Sequence, residues 1–264
     1  MFTWLKKKKT PPDAGAVMAR VIILKYLFVK GLATPPPDYL AECQQRWSEA
    51  AWHKFLDGVM TQNAQLIGRL QGNGLWKAME YDERRLFEAA PTEVNRQTIT
   101  DLSWLREPIV CLLWALGYIA ELLPYDQQAD DELTNKLPAE PAEILVKKAA
   151  LRPRESIEKQ RDLAELWHWR SRTRQLQESG QRFTFPGDMT IEKVLRISSA
   201  KAAVDGMVPA PIGDDFPAFG KPYRDLTPGE YSQATSIAVE RHRAFNWLCG
   251  LAPNNRWAET PTDT

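Results

Sequence analysis

The sequence has no excess of positive or negative charge and no long uncharged segment. The first absence argues against a nucleic-acid-binding protein, and the second against a protein that spans a membrane. Its 34 Lys and Arg residues are balanced by 34 Asp and Glu residues, whereas a protein that binds nucleic acid needs a basic surface. The uncharged run from Ile109 to Ala120 is 12 residues long, and a helix that spans a membrane needs roughly 20 apolar residues. We therefore expect neither nucleic-acid binding nor a membrane span.

Cysteine and histidine are also scarce, with three residues of each. The cysteines are far apart and odd in number, and no CxxC pair exists, which argues against a disulfide framework or a zinc ribbon. The histidines never approach the spacing of metal ligands, and no nucleotide-binding or nucleophile motif is present. We expect no metal, no cofactor and a reducing, cytoplasmic location. These residues are Cys43, Cys111, Cys249, His53, His168 and His242.

One apolar segment dominates what is present. The stretch that begins at Ser103 reads SWLREPIVCLLWALGYIAELLPYD. A helix that is apolar on every side must be buried on every side, so we predict a central buried helix at about residues 103–123. No segment shows the alternating pattern of a half-buried strand. The predicted fold class is all-α, a multi-helix globular protein with a single core.

Composition divides the chain into three predicted parts. These are a flexible basic tail at 1–13, an N-terminal helical region at 14–90, and a core helical domain at 91–264. The core domain contains a long Pro-rich loop at 208–226, and loops of that length are often functional. The last helix has the clearest predicted bounds, because Thr227-Pro-Gly-Glu230 has capping-box spacing and Gly250 is suited to end a helix.

Arg241 is the sharpest single residue, because it lies at the centre of the apolar stripe of that last helix. A buried guanidinium needs a carboxylate partner, and Glu107, beside the start of the central helix, is the one that we predict. The pair is either a structural ion pair or part of a pocket in which the arginine binds an anion.

A second group of polar residues lies on the helix that contains Trp167 and Trp169. A polar stripe between the two tryptophans includes His168, and is either a solvated, salt-bridged surface or a site with His168 as general base. The catalytic candidates are Glu107, His168 and Arg241. The ligand-binding candidates are Arg161, Arg172, Phe216, Phe219 and Tyr223.

Several blocks of the chain together resemble a known family. They are 103–130, with its LLWALG motif, 149–173, with AELWHWRSRT, 214–226, with DDFPAFGKPYRDL, and 240–264, with RHRAFNWLCG. These blocks resemble the bacterial family catalogued as domain of unknown function 4272, over about residues 90–264. The resemblance implies no activity. It implies recurrent motif positions at Trp104, Glu107, Trp114, Arg152, His168, Trp169, Glu240, Arg241, Asn246, Trp247, Trp257, Asp263 and Thr264.

The leading expectation for function is a non-catalytic binding or interaction module, for example an antitoxin-like protein, whose partner is another protein or a second copy. One alternative is an enzyme that uses Glu107, His168 and Arg241 beneath the Pro-rich loop as a lid. Another is a peripheral membrane protein that uses residues 1–9, in which Phe2, Trp4 and Leu5 precede four lysines. Convergence of the three polar side chains on an open pocket would favour the enzyme, and burial with partners would favour the module.

Overall fold

The fold is all-α, as predicted. The computed structural model describes residues 10–180 and 187–264. Within them, a two-stranded antiparallel hairpin and several 3-10 turns are the regular structure besides the helices. The helices are α1 (Ala14–Ala33), α2 (Pro37–Arg46), α3 (Glu49–Gly72), α4 (Tyr81–Glu88), α5 (Arg96–Trp104), α6 (Arg106–Ala115), α7 (Asp131–Thr134), α8 (Ala142–Lys148), α9 (Arg154–Glu178), α10 (Ile191–Val204) and α11 (Pro228–Leu248), and the strands are β1 (Pro217–Ala218) and β2 (Lys221–Pro222).

Helix α6 lies at the centre of the core, and every residue from Glu107 to Ala115 is buried. The predicted extent of 103–123 is nevertheless wrong at both ends. Pro108 opposes a continuous helix through Trp104, because its ring clashes with the carbonyl four residues earlier, and α5 ends at Trp104. At the other end Gly117 adopts a left-handed φ of 83°, and its N–H donates to the Trp114 carbonyl at 2.9 Å. This Schellman-type end stops the helix.

The core is shared by the two predicted helical regions. Helix α1 begins at the Asp13 cap, whose carboxylate accepts the Ala16 N–H at 2.8 Å, and its buried residues join the same apolar cluster as those of α6, α9 and α11. A Cβ on Gly31 would lie 2.6 Å from the Cβ of Leu102, so glycine is what lets α1 pack directly on α5. The first helix of the 14–90 region is thus part of the central core.

Helix α3 joins that core at its C-terminal end, where Leu70 is buried, whereas α2 and the N-terminal half of α3 lie apart from it. They form a small apolar cluster of their own from Leu40, Cys43 and Trp52, with Phe55 against it, and most of α3 is exposed. Across the described residues, no helix has both the length and the apolar character needed to cross a membrane.

Helix α11 follows the predicted design. Thr227 and Glu230 form the reciprocal capping box, in which each backbone N–H meets the other residue's side chain. The helix packs along α9 and α6 through Ala234, Ile237, Ala238 and Phe245. Arg241 lies within this buried face and is therefore carried into the centre of the molecule.

Candidate functional site

Arg241 and Glu107 form the predicted ion pair, and it is fully buried. The Arg241 side chain is 1% exposed and that of Glu107 is 0% exposed. The Arg241 Nε donates to the Glu107 Oε2 at 2.8 Å, and the Glu107 Oε1 accepts the Ala129 N–H at 2.6 Å. Both carboxylate oxygens therefore have a donor.

The remaining guanidinium nitrogens of Arg241 hold the irregular segment 116–130. One donates to the carbonyl of Leu123 and the other to that of Gln127, at 3.1 Å. The guanidinium also lies 4.7 Å from the ring centroid of Tyr125. Each side-chain nitrogen of Arg241 thus donates to an oxygen of the protein itself. This arrangement is typical of a structural ion pair rather than of an open site that binds an anion.

His168 is held by a different partner. Its Nδ1 lies 3.0 Å from the Nδ1 of His242, and the Nε2 of His242 lies 2.9 Å from the Nδ2 of Asn246. Burial lowers the pKa of both histidines, that of His242 to about 4, so both rings are neutral at pH 7. In the described part of the chain, no hydrogen bond or ion pair joins His168 to Glu107 or Arg241. The three catalytic candidates do not converge.

The predicted ligand-binding arginines are engaged with neighbours on their own helix. Arg161 pairs with Asp162 and Glu165, and Arg172 donates to Gln175. The Arg161–Glu165 and Arg172–Gln175 contacts have the i,i+4 and i,i+3 spacing that is typical of a solvated helix surface. Both side chains are bound locally, and neither lines a cavity described below.

The Pro-rich segment 208–226 is anchored into the core, and two of the aromatic candidates are inaccessible. Phe216 and Tyr223 are 0% exposed. Phe219 is half-buried, and its N–H donates to the Asp126 carboxylate at 2.8 Å. The aromatic residues of this segment therefore act as core side chains.

A second buried ion pair, which the sequence analysis missed, holds that segment. The Arg170 Nε and one Nη each donate to an oxygen of Asp215 at 2.7 Å, and both side chains are inaccessible. Asp215 also accepts the N–H groups of Phe216 and Arg224. The signal was present, because Arg170 shares the face of Leu163, Leu166 and Trp167 in the same way that Arg241 shares an apolar stripe.

A cavity of about 560 Å³ lies between α9, the segment 120–127 and the Pro-rich segment. Trp114, Tyr125 and Trp167 form much of its wall, together with Pro209 and Pro217. No histidine or cysteine lines it, and neither do Glu107 and Arg241. The Pro-rich segment does border a cavity, but the proposed catalytic residues are not inside it.

A larger cavity, of about 720 Å³, lies between α1, α4, α5 and α11. We call it the α4–α11 groove. Its wall is apolar where the four helices meet, and its rim carries hydroxyl, amide and charged groups. The apolar lining residues are Leu24, Leu27, Leu86, Leu102, Trp104, Leu105, Val239 and Trp257, and the polar ones are Asp82, Glu83, Gln97, Thr98, Thr100, Asp101, Ser232, Thr235, Ser236, Glu240 and Arg243.

Sequence reasoning did not find this groove. None of the predicted site residues lines it, and three of its lining residues, Trp104, Glu240 and Trp257, were noted only as recurrent motif positions. Helix α1, the neighbouring helices α4 and α5, and helix α11 are far apart in sequence, so no local spacing reveals the groove. Burial raises the pKa of the Glu240 carboxyl, while Arg243 opposes the rise and Asp101 and Glu107 add to it.

The described residues contain no cluster of side chains that could bind a metal ion. Within residues 10–180 and 187–264, no three His, Cys, Asp or Glu side chains are grouped so that they could hold a metal ion. The three cysteines are free thiols and all are buried.

The comparisons with known proteins give one match. A family model described as a domain of unknown function, DUF4272, matches residues 4–184. The matched residues begin and end earlier than the blocks on which the sequence resemblance rests. A comparison with curated proteins and one with solved structures give no match. Because the family model covers residues 4–184 of a 264-residue chain, this protein belongs to the DUF4272 family.

Proposed function

We propose that this protein is a non-catalytic binding module that receives a partner protein in the α4–α11 groove. The observation that carries the proposal is the groove itself. It has a volume of about 720 Å³, an apolar wall contributed by four helices and a rim of hydrogen-bonding groups. Sites that bind ligands are concave and combine apolar surface with hydrogen-bonding groups, and this groove has both.

The state of Glu107 and Arg241 argues against the enzymatic alternative. A general acid or base must come within hydrogen-bond reach of the proton that it transfers. Glu107 and Arg241 are 0% and 1% exposed and are bound to each other and to backbone groups. His168 is bound to His242. A substrate would have to displace these internal contacts before any of the three could act on it.

The character of the groove also favours a protein partner over a nucleic acid. Four of its lining residues are acidic, and Arg243 is the basic one. Phosphate groups would be repelled by such a surface. The membrane alternative rests on residues 1–9, which lie outside the described residues, and it remains a prediction.

We also propose that the protein works in the bacterial cytoplasm. Cys43, Cys111 and Cys249 are free and buried, and unpaired thiols are typical of reducing compartments. Burial raises the pKa of the Cys111 thiol and of the Cys249 thiol, so both resist oxidation as protonated groups.

A photo-crosslinking experiment tests the binding proposal. A benzophenone amino acid replaces Gln97, which is exposed and lines the groove, or Arg96, its exposed neighbour outside the groove. After irradiation in an extract of the native host, we expect one discrete adduct from the Gln97 position and none from the Arg96 position. The crosslinked protein is then purified and its binding to the unlabelled chain is measured directly.

A substitution that fills the groove completes the test. Ser236 lines the groove, whereas Gln233 on the same helix does not. Ser236→Trp should abolish the adduct and weaken binding of the purified partner, and Gln233→Trp should leave both unchanged. Equal adducts from both crosslinking positions, or an adduct that survives Ser236→Trp, would show that the groove is not the binding site.

A further inference from the structure

The negative charge of the α4–α11 groove is not balanced by the protein. Asp82, Glu83, Asp101 and Glu240 line the groove, against one basic residue, Arg243. The chain as a whole has a formal net charge of zero. The acidic character is therefore local, and a local field of one sign attracts a ligand of the opposite sign.

Two of the four carboxylates are already neutralised. Arg20 forms an ion pair with Glu83, which also accepts the N–H of Glu80 at 2.7 Å. Arg243 donates to both oxygens of Glu240, at 3.0 and 3.1 Å. The first pair joins α4 to α1, and the second lies within α11.

The other two carboxylates have no cation. Asp82 and Asp101 are exposed, and no ion pair to either exists among residues 10–180 and 187–264. Asp101 accepts only the amide of Gln97, at 2.7 Å. The charge of Asp101 in turn helps to raise the pKa of the Glu240 carboxyl. An added cation between α5 and α11 would relieve this repulsion between carboxylates.

The wall between the carboxylates is apolar. Leu24 and Leu27 of α1, Leu102 and Leu105 of α5, and Val239 of α11 form it. A ligand that fits must place apolar groups against these residues and cations beside the acids. Lys and Arg combine both properties, because their methylene stems pack on apolar surface while their charged ends reach the rim.

We infer that the α4–α11 groove binds a basic segment of the partner protein, in which Lys or Arg side chains accompany apolar ones. This inference rests on the proposed function and specifies the chemistry of its partner. Asp82 and Asp101, the two carboxylates without a cation, lie on two different helices, α4 and α5, so a ligand that contacts both is recognised from two sides of the groove. The apolar wall supplies contact area, and the acids select for charge.

Selection from a random peptide library tests the inference with a defined probe. Peptides of twelve residues, displayed on phage, are selected on the immobilised full-length chain, and the enriched peptides are synthesised with a fluorescent label. We expect enrichment of Lys and Arg together with Leu, Ile, Met or aromatic residues. Exchange of Lys and Arg for Glu in an enriched peptide should abolish its binding.

Variants of equal net charge then separate the groove from general electrostatics. The groove variant is Asp82→Asn with Asp101→Asn. The control variant is Asp57→Asn with Glu121→Gln, which neutralises two exposed acids that do not line the groove. The Kd for an enriched peptide, measured by fluorescence anisotropy, should rise by about tenfold or more in the groove variant and stay within about twofold of the wild type in the control variant. Melting curves verify that both variants are folded.

The outcomes distinguish the inference from the function on which it rests. Neutral or acidic enriched peptides, or equal weakening by the groove variant and the control variant, would overturn the inference. If the Gln97 adduct with the native partner persists in the groove variant, a partner occupies the groove without charge recognition, and only the inference fails. If the Gln97 adduct never forms, the proposed function fails as well. Saturation of the groove by spermidine, without enrichment of any peptide, would assign the site to a small amine and overturn the inference.

Discussion

Two buried arginines show what a single residue in a sequence can and cannot reveal. Arg241 lies within an apolar stripe, so its burial and its need for a carboxylate were predictable, and Glu107 was the right partner. Arg170 follows the same pattern, but its partner Asp215 lies in the irregular Pro-rich segment, whereas Glu107 lies at the start of the predicted central helix. The sequence shows which charge must be neutralised. The partner depends on how an irregular segment folds back, which no periodicity reveals.

A double-mutant cycle tests the structural role of the Arg241–Glu107 pair. Arg241→Met alone leaves the buried Glu107 carboxylate without its cation and should cost roughly 3–5 kcal/mol of unfolding free energy. Arg241→Met combined with Glu107→Gln removes both charges and should recover part of that loss. Urea denaturation measures the coupling. Additive effects of the two substitutions would contradict the pairing.

The histidine pair gives the protein a pH dependence whose sign follows from burial. Burial lowers the pKa of His242 to about 4, whereas an unfolded histidine titrates near 6.5. Between these values the unfolded chain binds more protons than the folded one, so stability is complete above about pH 6.5 and is lost as the pH falls toward 4. The charge of His168 is also disfavoured by burial.

His242→Asn should therefore reduce the loss of stability between pH 7 and pH 5, by on the order of 1–2 kcal/mol. The comparison is the difference in unfolding free energy between the two pH values, for the variant and for the wild type. His53 is exposed and lies outside this pair, so His53→Asn should keep the wild-type dependence. A parallel pH profile for His242→Asn and the wild type would rule out this origin.

At the scale of elements, the apolar pattern predicted the position of the central helix but not its length. Pattern analysis followed the uncharged residues through Gly117 as if the helix continued, and extended it to about residue 123. Helix α6 ends at Ala115, because Gly117 adopts a left-handed φ of 83° and its N–H donates back to the Trp114 carbonyl. Helix α11 was predicted closely, because a capping box and a glycine mark both of its ends.

The same substitution at two glycines should have opposite effects. Gly117→Ala places a side chain at a left-handed φ and should cost about 1 kcal/mol. Gly58 lies inside α3 with open space around it, so Gly58→Ala should stabilise by about 0.4–1 kcal/mol. Thermal unfolding of the two variants measures both signs. A neutral Gly117→Ala would show that the end of α6 tolerates another backbone conformation.

The stability of the Pro-rich segment should depend on the buried ion pair between Arg170 and Asp215. Asp215→Asn leaves the inaccessible Arg170 without a counter-charge and should cost roughly 3–5 kcal/mol. The neighbouring Asp214 is exposed, and Asp214→Asn should change stability by less than about 0.5 kcal/mol. Limited proteolysis should cleave within 208–226 faster in the first variant only. Equal protection of both variants would mean that the apolar contacts of Phe216 and Tyr223 hold the segment without the ion pair.

At the scale of the whole molecule, neither the groove nor the way the two ends of the chain pack together could be predicted from the sequence. The groove exists only where α1, α4, α5 and α11 meet, and only α4 and α5 are neighbours in sequence. No local sequence pattern indicates where the two predicted helical regions contact each other. The C-terminal segment returns to the N-terminal region, where the Glu80 carboxylate accepts the N–H groups of Trp257 and Ala258.

The C-terminal segment is docked on the core through Trp257, a large apolar side chain that needs an apolar environment. Trp257 is 6% exposed. It packs edge-on against Trp247 at 5.5 Å between ring centroids and lies beneath the guanidinium of Arg20 at 5.8 Å. Asn246 adds a hydrogen bond to the Pro261 carbonyl at 2.8 Å. The segment thus joins α1, the Glu80 turn and α11.

Deletion of residues 256–264 should therefore destabilise the whole fold rather than fray one end. Loss of the buried Trp257 side chain alone is worth about 1–3 kcal/mol, and the carboxylate of Glu80 would lose its two backbone donors. We expect the melting temperature to fall by several degrees, in one cooperative transition. A control that ends at Pro261 keeps Trp257 and the Pro261 carbonyl, and it should melt within about one degree of the full chain. An unchanged melting curve for the longer deletion would mean that Trp257 does not stabilise the contact between the two helical regions.

Because Trp257 also lines the groove, the same deletion should weaken partner binding, whereas the control truncation should preserve it.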